Sequence, residues 1–158
     1  QLEVRSDLVP AHFDLGRALL IKQNVKEGLR HILLALLYDP MHVPAYALSG
    51  NVYLSLGQLD KAEALLGKAL ELEPNHIEAR VNLGRLVGRM GRIDDAISHL
   101  RRALELSPQH EEAHYNLAVA LQSQGVSGEA IDPAEARWYH VRAEGNTGYI
   151  YFKLVAPE

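Results

Sequence analysis

The sequence predicts an all-α fold, a solenoid of four helix-turn-helix repeats. Three observations carry this. Pro40, Pro74 and Pro108 recur every 34 residues. The alanines Ala11, Ala45, Ala79 and Ala113 keep the same step across four copies, as do Gly16, Gly50, Gly84 with Ala118 and Leu19, Tyr53, Val87 with Leu121. The unit between them, clearest over residues 43–74, reads as two amphipathic helices around a tight turn. Self-similarity at a fixed period of this length marks an array of stacked supersecondary units.

Residues 1–8 show no period and form a lead-in, with Ser6 or Asp7 as candidate caps for the first helix and Pro10 in its first turn. The first copy, about 9–42, places Phe13, Leu15, Ala18 and Leu19 toward a core and turns at Asn24. Its second helix carries Leu29, Ile32, Leu33, Leu36 and Leu37, apolar on more than one face, and so calls for cover on both sides. Copies two (43–76) and three (77–110) are the most regular. In them Asp60 and Asp94 fall near helix starts, and Lys68, Arg101 and Arg102 fall nearer the ends, a distribution that suits the helix dipole. Pro74 and Pro108 stop the second helices. Helices this short are marginal alone, so neighbours must stabilise them. Gly50 and Gly84 would let two helix backbones approach closely.

The fourth copy, about 111–144, departs from the pattern by an insertion near 126–131. Asp132-Pro133 then makes a good helix start, and a six-residue slide puts Ala136 and Ala143 in the small columns, so the second helix is expected over about 133–144. Residues 145–158 form a cap or tail. Its run Tyr149, Ile150, Tyr151, Phe152, Leu154, Val155 favours a strand by composition. No strand partner is evident in a helical chain, so a short capping helix is expected. The alternative is a tail that docks in the groove of another copy and makes a homodimer.

These columns resemble the tetratricopeptide repeat (TPR) family from about residue 9 to 144. Gly57, Gly91 and Gly125 stand where that family turns between its helices, with Gln23 in their place in copy one. Ala62, Ala96, Ala69 and Ala103 occupy its small contact positions on the second helix, held in copy one by Gly28 and Ala35. The resemblance implies a right-handed superhelix and a protein-binding role, with ligand peptides lying along the first helices on a concave face.

Composition bounds the function. At 158 residues, 47% hydrophobic and 23% charged, the chain suits one soluble domain with a sizeable core. A net charge of −4 argues against a general nucleic-acid binder. With no cysteine there is neither a disulfide framework nor a thiolate metal site. No apolar run reaches the roughly 18 residues of a membrane span. Gln1 stands in place of an initiator methionine, as in a trimmed or processed chain, so a removed targeting segment stays open.

The candidate binding residues come from the same columns. Arg17, Asn51 and Arg85 are equivalent positions on the first helices, and Arg89 lies one turn beyond Arg85. Asn82 and Asn116 make a second column, with Asp14 and Leu48 in its earlier places. Arginine grips a carboxylate with two parallel hydrogen bonds, and an asparagine amide can pair with peptide backbone without reading side chains. The row looks like the carboxylate-clamp TPR domains, yet their lysine–asparagine spacing is not reproduced and no chaperone ligand is expected. Asn82 and Asn116 are similar to the asparagine ladder of O-linked N-acetylglucosamine transferases, over half the copies. The plain alternative is a solvated polar face.

His110-Glu111-Glu112-Ala113-His114 matches the zinc-protease pattern H-E-x-x-H. The repeat explains it more simply, because His42, His76 and His110 share one inter-repeat turn. No metal site, cofactor or enzymatic activity is therefore expected, and no phosphate loop, nucleophile elbow or cysteine nucleophile occurs. The expected function is a non-catalytic scaffold that holds an extended or short helical peptide, acidic or with a free C-terminus. The alternatives are the recognition arm of a larger enzyme such as a glycosyltransferase, self-association through the tail, or a spacer that binds nothing.

Overall fold

The computed structural model describes residues 8–124, 140–143 and 148–151. Within them lie seven helices: α1 (Leu8–Ile21), α2 (Val25–Tyr38), α3 (Val43–Ser55), α4 (Leu59–Leu72), α5 (Ile77–Arg89), α6 (Ile93–Leu106) and α7 (Glu111–Ser123). Two short strands follow, β1 (His140–Ala143) and β2 (Gly148–Tyr151). The chain forms two compact units, Gln1–Asn82 and Leu83–Glu158, and the boundary falls within α5. In the first unit α1 packs on α2, α2 on α3 and α3 on α4; in the second α6 packs on α7.

Each pair turns in three residues, and the turn is built the same way three times. After α3, the Gly57 N–H donates to the Leu54 carbonyl (3.1 Å) and the Gln58 N–H to Tyr53 (2.9 Å). Gly91 and Arg92 repeat this onto Gly88 and Val87, and Gln23 and Asn24 onto Leu20 and Leu19. This paired closure needs a left-handed residue after the helix. Gly57 (φ 73°) and Gly91 (φ 82°) meet the need without strain, whereas Gln23 holds φ 61° with a side chain attached.

The inter-repeat turns supply the helix starts. The N–H groups of Ala45, Ala79 and Ala113 donate to Nδ1 of His42, His76 and His110, at 3.2, 3.1 and 3.2 Å. Each imidazole thus satisfies one of the orphan donors of α3, α5 and α7. Asn24 caps α2 through a longer bond from the Glu27 N–H, 3.5 Å. Asp60 and Asp94 lie in first turns as expected. The last turns of α2, α4 and α6 contain no basic residue. Lys68 and Arg102 instead bond Glu71 and Glu105 three residues on, and the Glu71 carboxylate holds the Lys68 ammonium above its ordinary value.

The core follows the small-residue columns. Ala45, Ala79 and Ala113 are fully buried, as are Ala35, Ala69 and Ala103. Opposite them stand Ile32, Leu66 and Leu100, also buried. Each presses on the glycine of its own pair. A Cβ built on Gly16 would lie 2.7 Å from Ile32 Cδ1 and 2.8 Å from the Gly28 carbonyl oxygen. One on Gly50 would lie 2.6 Å from Leu66 Cγ, and one on Gly84 2.7 Å from Leu100 Cγ.

Three expectations need correction. Leu15 and Ala18 do not enter a core; they are exposed, as is Ala11. Their counterparts Ser49, Leu83, Leu86, Leu117 and Ala120 are buried, and no helix precedes α1 among the described residues. On α2, Leu33 and Leu37 are likewise exposed rather than covered on both sides. The helix expected over 133–144 does not run to its end, because residues 140–143 are extended and pair antiparallel with 148–151, in the register His140↔Tyr151 and Val141↔Ile150. The tail therefore contains a strand where a capping helix was expected, and its partner lies in the same chain. Residues 125–139, with Gly125 and the insertion, and residues 1–7, with Ser6 and Asp7, lie outside the described residues.

The glycine contacts give opposite signs at different sites. Gly16→Ala and Gly50→Ala should lower stability by about 1–3 kcal/mol, the range for overpacking. Gly67→Ala, where nothing lies within 4 Å of the added carbon, should raise it by about 0.5–1 kcal/mol. Gln23→Gly should also stabilise, by about 0.5–1 kcal/mol, through relief of the left-handed strain. Urea unfolding of the four variants checks these signs.

Candidate functional site

The leading helices carry all six residues singled out by the repeat, and three of them meet in one cavity. In the first unit Arg17 (α1), Asn51 (α3) and Asn82 (α5) line a pocket of about 300 Å³. Its apolar surface comes from Phe13, Pro44, Ala47 and Leu48, and its rim also holds His76 and Glu78. Regular helix periodicity explains the convergence. Phe13 and Arg17, like Ala47 and Asn51, are four residues apart and share a face.

The polar groups differ in freedom. Arg17 is exposed and makes a loose ion pair with Asp14 (3.4 Å) while its guanidinium lies 5.9 Å from the centre of the Phe13 ring. Asn82 is 7% exposed, so its amide is held by its surroundings. Glu78 adds one carboxylate to the lining, giving a site of mixed polarity rather than a purely basic one. Phe13, His76 and Glu78 were not anticipated as site residues. The spacing of Phe13 to Arg17 was the available signal.

The other three candidates lie in the second unit. Arg85 donates to the Glu112 carboxylate of α7 at 2.9 Å, with both side chains partly exposed. Arg89 is exposed in the last turn of α5. Asn116, on α7, keeps a buried Nδ2 without a hydrogen-bond partner among the described residues. Buried amides of this kind are normally satisfied, which makes this nitrogen an exception within the packed face of α7.

His110 and His114 are occupied by backbone chemistry. The Nδ1 of His110 accepts from Ala113, and the Nε2 of His114 lies 2.8 Å from the Pro108 carbonyl, to which it donates. The equivalent Arg80 reaches the Pro74 carbonyl in the same way. Among the described residues no group of three or more histidine, aspartate or glutamate side chains is placed to hold a metal ion. No described helix is long and apolar enough to cross a membrane.

Family models for the tetratricopeptide repeat match residues 43–109 and 81–149. The chain belongs to the tetratricopeptide repeat family. Solved TPR structures share its fold. The first TPR of Spaghetti (RPAP3), bound to the HSP90 peptide SRMEEVD, superposes with a TM-score of 0.74 over 79% of this chain and 99% of its own, at 19% identity. An O-GlcNAc transferase of Thermobaculum terrenum matches 85% of this chain at 27% identity and TM-score 0.74, while only 26% of the transferase chain is covered. MamA from AMB-1 matches 78% of this chain and 67% of its own, at 28% identity and TM-score 0.65. No curated protein sequence matches significantly.

The histidine caps of this TPR chain are testable directly. His110→Ala should lower stability by about 0.5–1 kcal/mol, the scale of a lost helix cap. Added zinc should leave the melting temperature of the unaltered protein unchanged in calorimetry.

Proposed function

We propose that this TPR chain is a non-catalytic interaction module that holds an extended segment of a partner protein against its leading helices. The observation that carries this reading is the cavity shared by Arg17, Asn51 and Asn82. These residues belong to two separate columns of the repeat, and the fold brings them to one place. The asparagine amides suit the alternating donors and acceptors of a peptide backbone. The floor of Phe13, Ala47 and Leu48 takes an apolar side chain, and Arg17 takes a carboxylate of the ligand. Glu78 favours a ligand donor close by, so a segment of mixed polarity fits better than a run of acids.

In the second unit Asn116 and Arg89 offer the same kinds of polar group. Arg85 does so only when a ligand carboxylate replaces Glu112, which makes it a weaker anchor than its column alone implies. The peptide carried by the Spaghetti TPR supports the reading at the level of fold. A second reading, the recognition arm of a larger enzyme, draws support from the likeness to the Thermobaculum terrenum transferase, of which this chain spans about a quarter. The sequence of the complete gene product separates the two.

The test is capture of partners by the isolated chain, identification of the bound segment by mass spectrometry, and calorimetric titration of that segment. Arg17→Ala combined with Asn51→Ala should weaken binding by about 1–2 kcal/mol, the sum of two modest hydrogen-bonding contributions. Equal affinity for the double variant and the unaltered chain would exclude this cavity as the binding site.

A further inference from the structure

A larger cavity in the first unit lies elsewhere. A groove of about 850 Å³ runs along α2 to the end of α3 and the start of α4, and shares no residue with the Arg17 pocket. Its floor is the stripe Val25, Leu29, Leu33 and Leu37, joined by Leu56, with Leu37 72% exposed. Its charged residues are Lys26, Arg30 and Lys61, and no carboxylate lines it. Arg30 makes a long ion pair, 3.6 Å, with Glu27. This concentration of positive charge stands against a net charge of −4 for the chain.

The repeat itself shows that the fold does not require this surface. Where α2 has Leu33, the equivalent positions of α4 and α6 have Gly67 and Arg101. Where it has Leu37 they have Glu71 and Glu105. Lys26 replaces Asp60 and Asp94 in the first turn, where a cation opposes the helix dipole. Copies two and three keep their trailing helices without these residues, so copy one carries them for another purpose.

We propose that this groove binds an amphipathic helix of a partner protein, with acidic residues flanking an apolar stripe. The stripe from Val25 to Leu37 spans about 18 Å at the rise of an α-helix, enough for three turns of a docked helix. Its floor of aliphatic side chains offers no partners to a peptide backbone, and the uncharged polar side chains, Tyr53 and Gln58, come only from the α3–α4 side. An occupant that satisfies its own backbone hydrogen bonds, as a helix does, therefore fits best. The cations select acidic flanks, and a concave groove suits a protruding helix better than a flat membrane. The acidic helices α4 and α6 of a second copy already bury their apolar faces and are poor candidates.

The experiment selects binders from random peptides of about 16 residues, long enough for four turns, displayed on phage against the full chain. Enriched peptides should be acidic and carry apolar residues at helical spacing, and synthetic copies should bind less tightly as salt rises. Leu37→Glu, at an exposed position that leaves the fold intact by circular dichroism, should weaken them at least about tenfold, as should the combined Lys26→Glu, Arg30→Glu and Lys61→Glu variant. Arg17→Ala with Asn51→Ala should leave them unchanged, so failure here and failure of the Arg17 cavity are distinguishable. Failure to enrich such peptides, or enrichment insensitive to Leu37→Glu, overturns the proposal. So does a dimer in light scattering that Leu37→Glu dissolves, which would assign the groove to a second copy. Charge-reversal-sensitive binding to phosphatidylglycerol vesicles without peptide binding would assign it to a membrane instead.

Discussion

The structure depends on how closely two helix backbones approach inside each pair. Gly16, Gly50 and Gly84 face Ile32, Leu66 and Leu100 with no room for a methyl group between them. That contact fixes the separation within each pair, and the three-residue turns then fix its hand and length. The candidate binding residues are positioned by those rigid pairs. Arg17 and Asn51 sit one residue past their glycines, on faces that the same packing turns away from the core. Dispersion and burial at the glycine thus determine where the polar groups next to it point.

Much of this was legible in the sequence because a repeat displays each position several times. Proline, alanine and glycine columns gave the helix ends, the buried alanines and the close contacts. What was not legible arises where a copy lacks its neighbour. Leu15 and Ala18 look like core residues because most of their counterparts are, yet burial depends on neighbours, and no helix precedes α1 among the described residues. The strand pair is a different case. Gly145 and Asn146 separate two runs rich in β-branched and aromatic residues, a hairpin signal. The period of the preceding copies points the other way, to a helix through 140–143, and the local strand preference prevails over it.

The site was legible in part for a related reason. Column equivalence identifies residues that share a face of successive helices, and Arg17, Asn51 and Asn82 do converge. It does not identify what each residue meets. Arg85 occupies the same column as Arg17, but Glu112 stands within 2.9 Å of it, whereas Arg17 makes a looser pair with Asp14 and lies over the Phe13 ring, both on its own helix. Phe13 and His76 enter the pocket through local geometry that the column positions do not encode. The apolar stripe of α2 was visible as an excess of leucine, and the structure shows that the excess lines a groove.

The Arg85–Glu112 pair also has a consequence for selectivity. A guanidinium with a resident carboxylate is not an open invitation to every anion. An incoming acid gains only the difference between its own fit and that of Glu112, so buffer ions and stray acidic side chains gain almost nothing. A ligand that is anchored by other contacts can evict the resident, and Glu112 then returns to water at little penalty because it is already partly solvated. In the proposed binding role the pair would work as a threshold, rejecting casual encounters while leaving the position open to a ligand already held in place.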